Sequence, residues 1–299
     1  MIVKKPMKVI SIFLTFMIIF VLALSISGCR GQEMTSQNAK MTIAVSIGPL
    51  EEFVEKICGD GIETVIMIPA GADPHTYEPR PSQLKSVSQA GMYVMVGSGL
   101  EFEVAWLDKL LALNEGMALV DCSKGIDLIE TGIGNGKSSK DPHIWLSLDN
   151  AVIMTENIYE VLIEIDPDNS DRFHKNLNDY QGALKRLDDS ISKLLDTEEE
   201  KKIIVLHPAW AYFARDYGIE QIPIEAEGKE PTPANLEAII DKAKKEDIKI
   251  IFASPEFSTR SAEVIADEIG AEVVLISPVE KEYLKNMEKV AMAFSGIDQ

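Results

Sequence analysis

Asp166–Leu195 reads DPDNSDRFHKNLNDYQGALKRLDDSISKLL, and its apolar residues decide the architecture. Phe173, Leu177, Tyr180, Leu184, Leu187, Ile191 and Leu194 are separated by four, three, four, three, four and three residues. That spacing puts one narrow apolar stripe along a single α-helix. Asp166-Pro167 marks its start, and Asn169 and Ser170 are both good capping residues. At about 1.5 Å per residue, some 26 residues span about 40 Å. The stripe ends before a fourth heptad is complete, which argues against a coiled coil. The spacing predicts a spine with structure on both sides of it.

Outward from the spine, strand and helix signals alternate. Before it come β-rich runs at Met41–Ile47, Glu63–Ile68, Met92–Val96 and Met117–Val120, with helical spacing at Pro49–Ile57, Pro81–Ala90 and Phe102–Leu113. After it, Lys202–Leu206, Gln221–Glu225, Ile248–Ala253 and Glu272–Ile276 read as strands. Ala209–Tyr217, a helix capped by Thr232 with Pro233 at its first position, Ala262–Ile269 and Glu280–Phe294 read as helices. This rhythm predicts an α/β protein of two lobes, each a mainly parallel sheet flanked by helices. The expected division is an N-terminal lobe over 41–165, the backbone helix over 166–197 and a C-terminal lobe over 198–299.

Residues 1–28 stand apart. Lys4, Lys5 and Lys8 precede an almost unbroken apolar run from Val9 to Leu24, with no acidic residue, which is the layout of an export signal. Ile26-Ser27-Gly28-Cys29 resembles a prokaryotic lipobox, so Cys29 is the expected lipidation site and residues 29–40 a tether. The alternatives are a plain signal anchor or cleavage at another small residue. With lipidation, the chain sits on the extracytoplasmic face of the cell membrane, held to the bilayer through Cys29. Cys58 and Cys122 belong to no C-x-x-C, which disfavours a cysteine zinc site and leaves either a disulfide or two buried thiols.

Over 299 residues, 29 Lys plus Arg face 48 Asp plus Glu, a formal net charge of −19. Such a chain lacks the basic footprint that phosphate binding needs, so nucleic acid is excluded as a partner. The charge is compatible with cation handling without selecting an ion.

Three of the four histidines share a kind of setting. His75 lies in Asp73-Pro74-His75-Thr76-Tyr77-Glu78-Pro79, His143 in Asp141-Pro142-His143-Ile144-Trp145, and His207 directly after a strand in His207-Pro208-Ala209-Trp210. Ligands of open parallel sheets bind outside the carboxyl ends of strands. Proline stiffens the backbone before His75 and His143, and Asp73 and Asp141 stand where they could accept the second ring N–H of a metal-bound imidazole. Three neutral imidazoles suit zinc better than hard, oxygen-seeking cations. His174, beside the spine stripe, has no such setting.

These motifs, with Tyr212, Tyr217-Gly218, Gly228-Lys229-Glu230-Pro231 and Pro255-Glu256-Phe257-Ser258, give residues 40–299 a family likeness. The chain resembles the zinc- and manganese-binding lipoproteins of bacterial and archaeal ABC importers, solute-binding proteins with a rigid helical backbone. The resemblance implies a monomer that binds one divalent metal between its lobes and delivers it to an ABC permease. His75 and His143 would come from the first lobe and His207 from the second. Manganese-type members carry a carboxylate in place of the third histidine, so His207 implies Zn2+ over Mn2+. No histidine-rich loop stands in Glu130–Asp141. Ser277-Pro278 departs from the family, which has aspartate at the serine position. The fourth position then falls to water or to Glu280, with Glu225 and Glu227 as more remote carboxylates. A zinc-dependent hydrolase built on the three histidines, and a manganese carrier of the same family, are the competing readings. The hydrolase lacks an H-E-x-x-H and a general base at a recognisable spacing.

Overall fold

In the computed structural model, which describes residues 40–134, 137–196, 201–225 and 231–296, each half of the chain builds one four-stranded sheet. The first contains β1 (Met41–Val45), β2 (Ile62–Ile66), β3 (Met92–Met95) and β4 (Ala118–Asp121) in the order β2-β1-β3-β4. Helices α1 (Gly48–Cys58), α2 (Pro81–Val87) and α3 (Glu101–Leu111) connect its strands. All pairings in it are parallel, as crossovers through helices require. The carboxyl ends of its strands therefore share one edge.

Between β4 and the spine the chain adds a short hairpin that the strand and helix spacing does not predict. β5 (Glu130–Gly134) and β6 (Lys137–Lys140) form an antiparallel hairpin. Thr131 and Ser139 hydroxyls meet across it at 2.8 Å, and Lys140 pairs with Glu130 at 2.7 Å. The signal was Asn135-Gly136, the dipeptide that most favours a two-residue hairpin turn. A 3-10 turn (Ile144–Leu146) leads into α4 (Leu148–Ile165), and a second one (Pro167–Asn169) into α5.

The spine is α5, Ser170–Leu195, 26 residues long. Phe173, Leu177, Tyr180, Leu184 and Ile191 of the stripe are buried, and Leu187 and Leu194 are half-buried. The start differs in detail from expectation. Asn169 makes no side-chain cap bond; its amide is taken by the Asp166 carboxylate at 2.8 Å.

The second sheet holds β7 (Lys201–Val205), β8 (Ile219–Pro223), β9 (Ile250–Ala253) and β10 (Glu272–Leu275) in the order β10-β9-β7-β8, again all parallel. Helices α6 (Ala211–Asp216), α7 (Pro233–Lys245), α8 (Arg260–Ile269) and α9 (Tyr283–Ser295) complete it. Thr232 caps α7 as expected, accepting from the Asn235 N–H at 3.3 Å. Both sheet faces are covered. Ile203 and Val205 of β7 point into the core shared with α5 and the first sheet, while Ile204 and Leu206 point into a second core with Ala262 and Ile265 of α8. α5 packs against α1, α4 and α9, so it touches both halves.

Polar bonds reinforce that shared core. The Glu52 carboxylate on α1 accepts the Tyr180 hydroxyl at 2.7 Å and the Tyr283 N–H at 2.8 Å. The Trp145 indole donates to the Pro278 carbonyl at 2.6 Å, and the Tyr283 hydroxyl to the Trp145 carbonyl at 2.7 Å. Gly48 sits so close to the 279–281 loop that a Cβ there would lie 2.4 Å from the Val279 carbonyl oxygen. Cys58 and Cys122 are free and buried, which resolves the choice in favour of two thiols; burial pushes the Cys58 thiol up to about 12. Among the described residues, no helix is long and apolar enough to cross a membrane. Residues 1–28, Cys29 and the tether up to residue 39 lie outside the described residues, as does Gly228-Lys229-Glu230.

Candidate metal centre

The two Asp-Pro-His motifs fold alike, for a local reason. Proline has no N–H to place, and the aspartate before it accepts the histidine's backbone N–H: Asp73 from His75 at 2.9 Å, Asp141 from His143 at 2.8 Å. Each turn fixes the direction in which the imidazole leaves the chain. His207 is aimed by a different device, standing two residues beyond β7 at the carboxyl edge of its sheet.

Together these placements converge. The Nε2 atoms of His75 and His207 are 3.3 Å apart, those of His207 and His143 are 3.4 Å apart, and one ligand atom from each ring lies within 4.8 Å of both others. Phe257 packs on His207 and His75, at ring-centre distances of 4.8 and 5.9 Å. The buried Trp145 ring lies 5.3 Å from that of His143.

Behind each ring stands a carboxylate. His75 Nδ1 meets Glu101 at 2.9 Å, His143 Nδ1 meets Asp141 at 2.8 Å and His207 Nδ1 meets Glu225 at 3.1 Å. A carboxylate can only accept here, so each Nδ1 carries the proton and each Nε2 turns its lone pair inward. Three lone pairs aimed at one point repel unless a cation or proton lies among them. The rings differ in basicity. Burial pulls the His75 imidazole down, but the hydrogen bond and charge of Glu101 outweigh it, leaving its pKa raised. Burial likewise opposes ionisation of Glu101, and its bond to His75 wins, leaving that carboxyl below its ordinary value. His207 is lowered by burial, against the pull of Glu225 and with the charges of His143 and His75 adding to it.

Several expected residues are elsewhere. Asp73 does not take the ring N–H of His75; both its oxygens serve the turn, the second accepting from the Thr76 hydroxyl at 2.7 Å. Glu101 replaces it, because the start of α3 faces the ring directly. Asp141 does hold its own ring, through the same oxygen that ties the backbone. Glu225 lies behind His207, at Nδ1 rather than on the side where Nε2 converges. Glu280 is exposed and bonds to the Lys281 N–H, and it is no member of the cluster. The Ser277 hydroxyl donates to Glu256 at 2.6 Å, and Ser254 donates to the other oxygen of that carboxylate. Glu227 falls outside the described residues. His174 is exposed, on α5 against Tyr159, and takes no part.

The roles of Glu101 and Glu225 escaped the sequence reading. For Glu225 a signal existed. β7 and β8 are parallel with Val205 opposite Pro223, so His207 and Glu225, each two residues further on, come abreast. For Glu101 the only hint was a carboxylate in the first turn of a helix, where it is common for other reasons.

A family model described as the zinc-uptake complex component A, periplasmic, matches residues 43–296. The chain belongs to that family. One relative is the high-affinity zinc uptake system protein ZnuA of Bacillus subtilis (strain 168), 30% identical over 258 residues, which cover 82% of this chain and 80% of the relative. Another is the manganese ABC transporter substrate-binding lipoprotein scaA of Streptococcus gordonii, 30% identical over 267 residues, 85% of each chain. Among solved structures, a crystal structure of ZnuA superposes with a TM-score of 0.81 at 42% identity, covering 86% of this chain and 98% of that one. The two parallel-sheet lobes and the long joining helix are thus the family's fold. The family is one of solute binding for transport, which removes the hydrolase reading. Relatives named for zinc and for manganese both occur, so membership leaves the ion open.

Proposed function

We propose that this protein captures one divalent transition-metal ion between His75, His143 and His207 and delivers it to the permease of an ABC importer, with zinc its ion rather than manganese. It does so on the outer face of the cell membrane, as a monomer held there through lipidated Cys29. One observation carries the choice of zinc. Zinc–nitrogen bonds of about 2.0–2.1 Å at tetrahedral angles set two ligand nitrogens about 3.3–3.4 Å apart. Two of the three Nε2 pairs, at 3.3 and 3.4 Å, match that edge, and the cluster as a whole lies within 4.8 Å. The donor set supports the same ion, since among the described residues it is three imidazoles with no carboxylate, which suits zinc better than manganese. A water completes the tetrahedron, Ser277 and Glu280 being otherwise engaged. The carboxylates of Glu101, Asp141 and Glu225 orient the rings and strengthen them as donors.

Metal analysis of protein purified without chelator, followed by competition between zinc and manganese, tests this reading. One zinc per chain and a preference for zinc are expected. His75→Ala, His143→Ala and His207→Ala should each weaken zinc binding roughly a hundredfold or more, since even loss of a residue behind a ligand costs about 10–100-fold. His174→Ala should bind as wild type does. Wild-type affinity in His207→Ala would take the second lobe out of the site and end the reading.

A further inference from the structure

The three rings are held unequally. The side chains of His143 and His207 are 9% and 8% exposed, and those of their partners Asp141 and Glu225 are 3% and 14% exposed. The His75 side chain is 24% exposed and Glu101 behind it 53%.

The backbones differ in the same direction. Around His143, the Asp141 N–H donates to the Ile129 carbonyl at 2.9 Å, the Asp141 carbonyl accepts from Tyr212 at 3.0 Å, and Ser98 donates to the Pro142 carbonyl. Two residues on, Trp145 is bonded to Pro278. Beside His207, the sheet ladder continues past the strand ends, with Leu206 N–H to the Phe252 carbonyl at 2.7 Å and Glu225 N–H to the Leu206 carbonyl at 3.0 Å. His75 sits in residues 69–80, which form neither helix nor strand. Its backbone bonds there are the local ones of the 69–77 turns. Besides the neighbouring His207 and Phe257 rings, what holds its imidazole is Glu101, 26 residues further along the chain with β3 between them in sequence.

We propose that His75 is the ligand that lets go first, and that Glu101 is the positioning residue whose hold on His75 Nδ1 sets how fast the metal leaves. This rests on the metal site proposed above. A half-exposed carboxylate is within reach of water, so its bond to the ring breaks and re-forms far more readily than the buried ones behind His143 and His207. Once it breaks, the ring is free to turn and water takes its place on the ion. His143 and His207 keep the ion until exchange is complete, and exchange takes place on the exposed side of the cluster.

Zinc release is measured by mixing zinc-loaded protein with an excess of a chromophoric chelator in a stopped-flow instrument. Glu101→Ala should release zinc about tenfold faster than wild type, the lower end of what loss of a residue behind a ligand costs. Glu101→Gln, which keeps the acceptor and loses the charge, should fall between the two. At alkaline pH, where His75 is neutral, thermal unfolding of the metal-free protein should be unchanged by Glu101→Ala, and in a His75→Ala background the same substitution should accelerate release no further. Wild-type release rates in Glu101→Ala, or an equal acceleration with His75 already absent, would overturn the proposal. If wild-type protein takes up no stoichiometric zinc, the metal site itself fails and this inference with it. If His75→Ala weakens binding while Glu101→Ala changes nothing, the site stands and only the inference falls.

Discussion

Tyr212→Phe removes one oxygen atom and tests how the second half of the chain supports the His143 segment of the first. Tyr212 lies on α6 and is fully buried. Its hydroxyl accepts the Ile129 N–H at 3.0 Å and donates to the Asp141 carbonyl at 3.0 Å, so it bridges the two ends of the β5–β6 hairpin. Phenylalanine keeps the ring and its packing, and leaves both backbone groups without that partner. A buried polar group left unsatisfied costs about 1–3 kcal/mol. Asp141 is buried but Ile129 is half-buried and can turn to water, so the sum is about 2 kcal/mol. For a fold of this size each kcal/mol lowers the midpoint by about 2–4 °C, so metal-free protein should melt about 4–8 °C lower. Because Asp141 also grips His143, zinc affinity should fall severalfold, less than the roughly 10–100-fold cost of losing such a residue outright. Calorimetry on metal-free protein and a competitive zinc titration check the two effects. An unchanged midpoint with unchanged affinity would show that the bridge contributes nothing, and would refute the claim that α6 holds the His143 segment.

Two further outcomes follow from the same geometry. In metal-free protein, His75 should titrate above the ordinary value of about 6.5 and His207 below it, read from long-range histidine NMR spectra. The raised His75 contributes stability that is full below about pH 6.5 and lost as pH rises through its folded value, whereas the lowered His207 contributes stability present above about pH 6.5 and lost as pH falls through its folded value. Protons should therefore claim His75 first as pH drops, weakening zinc binding; His207 titrating above His75 would contradict this. The second concerns Ser277, whose hydroxyl is bonded to Glu256. Ser277→Asp alone would set two carboxylates against each other and leave zinc affinity near wild type, whereas with Glu256→Gln it should tighten binding about tenfold, or about 1.4 kcal/mol. A tenfold gain from Ser277→Asp by itself, in the same titration, would show that Glu256 does not oppose it.

What was legible in the residues and what was not divides along contact distance. The periodicity of Phe173–Leu194 predicts α5, and the alternating β-rich and amphipathic runs predict both sheets, because side-chain period and backbone geometry are local properties. The Asp-Pro-His turns are local in the same way, each closing over two residues. The β5–β6 hairpin is equally local, and Asn135-Gly136 is its signal, but its strands are too short and polar to show as β-rich runs.

The residues behind the rings belong to the other class. Asp73 and Asp141 occupy the same place in the same motif, yet only Asp141 reaches its ring, since the start of α3 brings Glu101 to His75. Ser277 and Glu256 likewise meet across 21 residues, where β9 and β10 end side by side. Composition and motif spacing by themselves determined the α/β architecture, the spine and three histidines fit to be ligands. Only the tertiary structure decided which carboxylate stands behind each ring, that His207 Nε2 comes within 3.3–3.4 Å of the other two Nε2 atoms, and that His75 is the more exposed ring. Those properties depend on packing that brings distant segments together, and one chain's residue spacing holds no record of which side chains then meet.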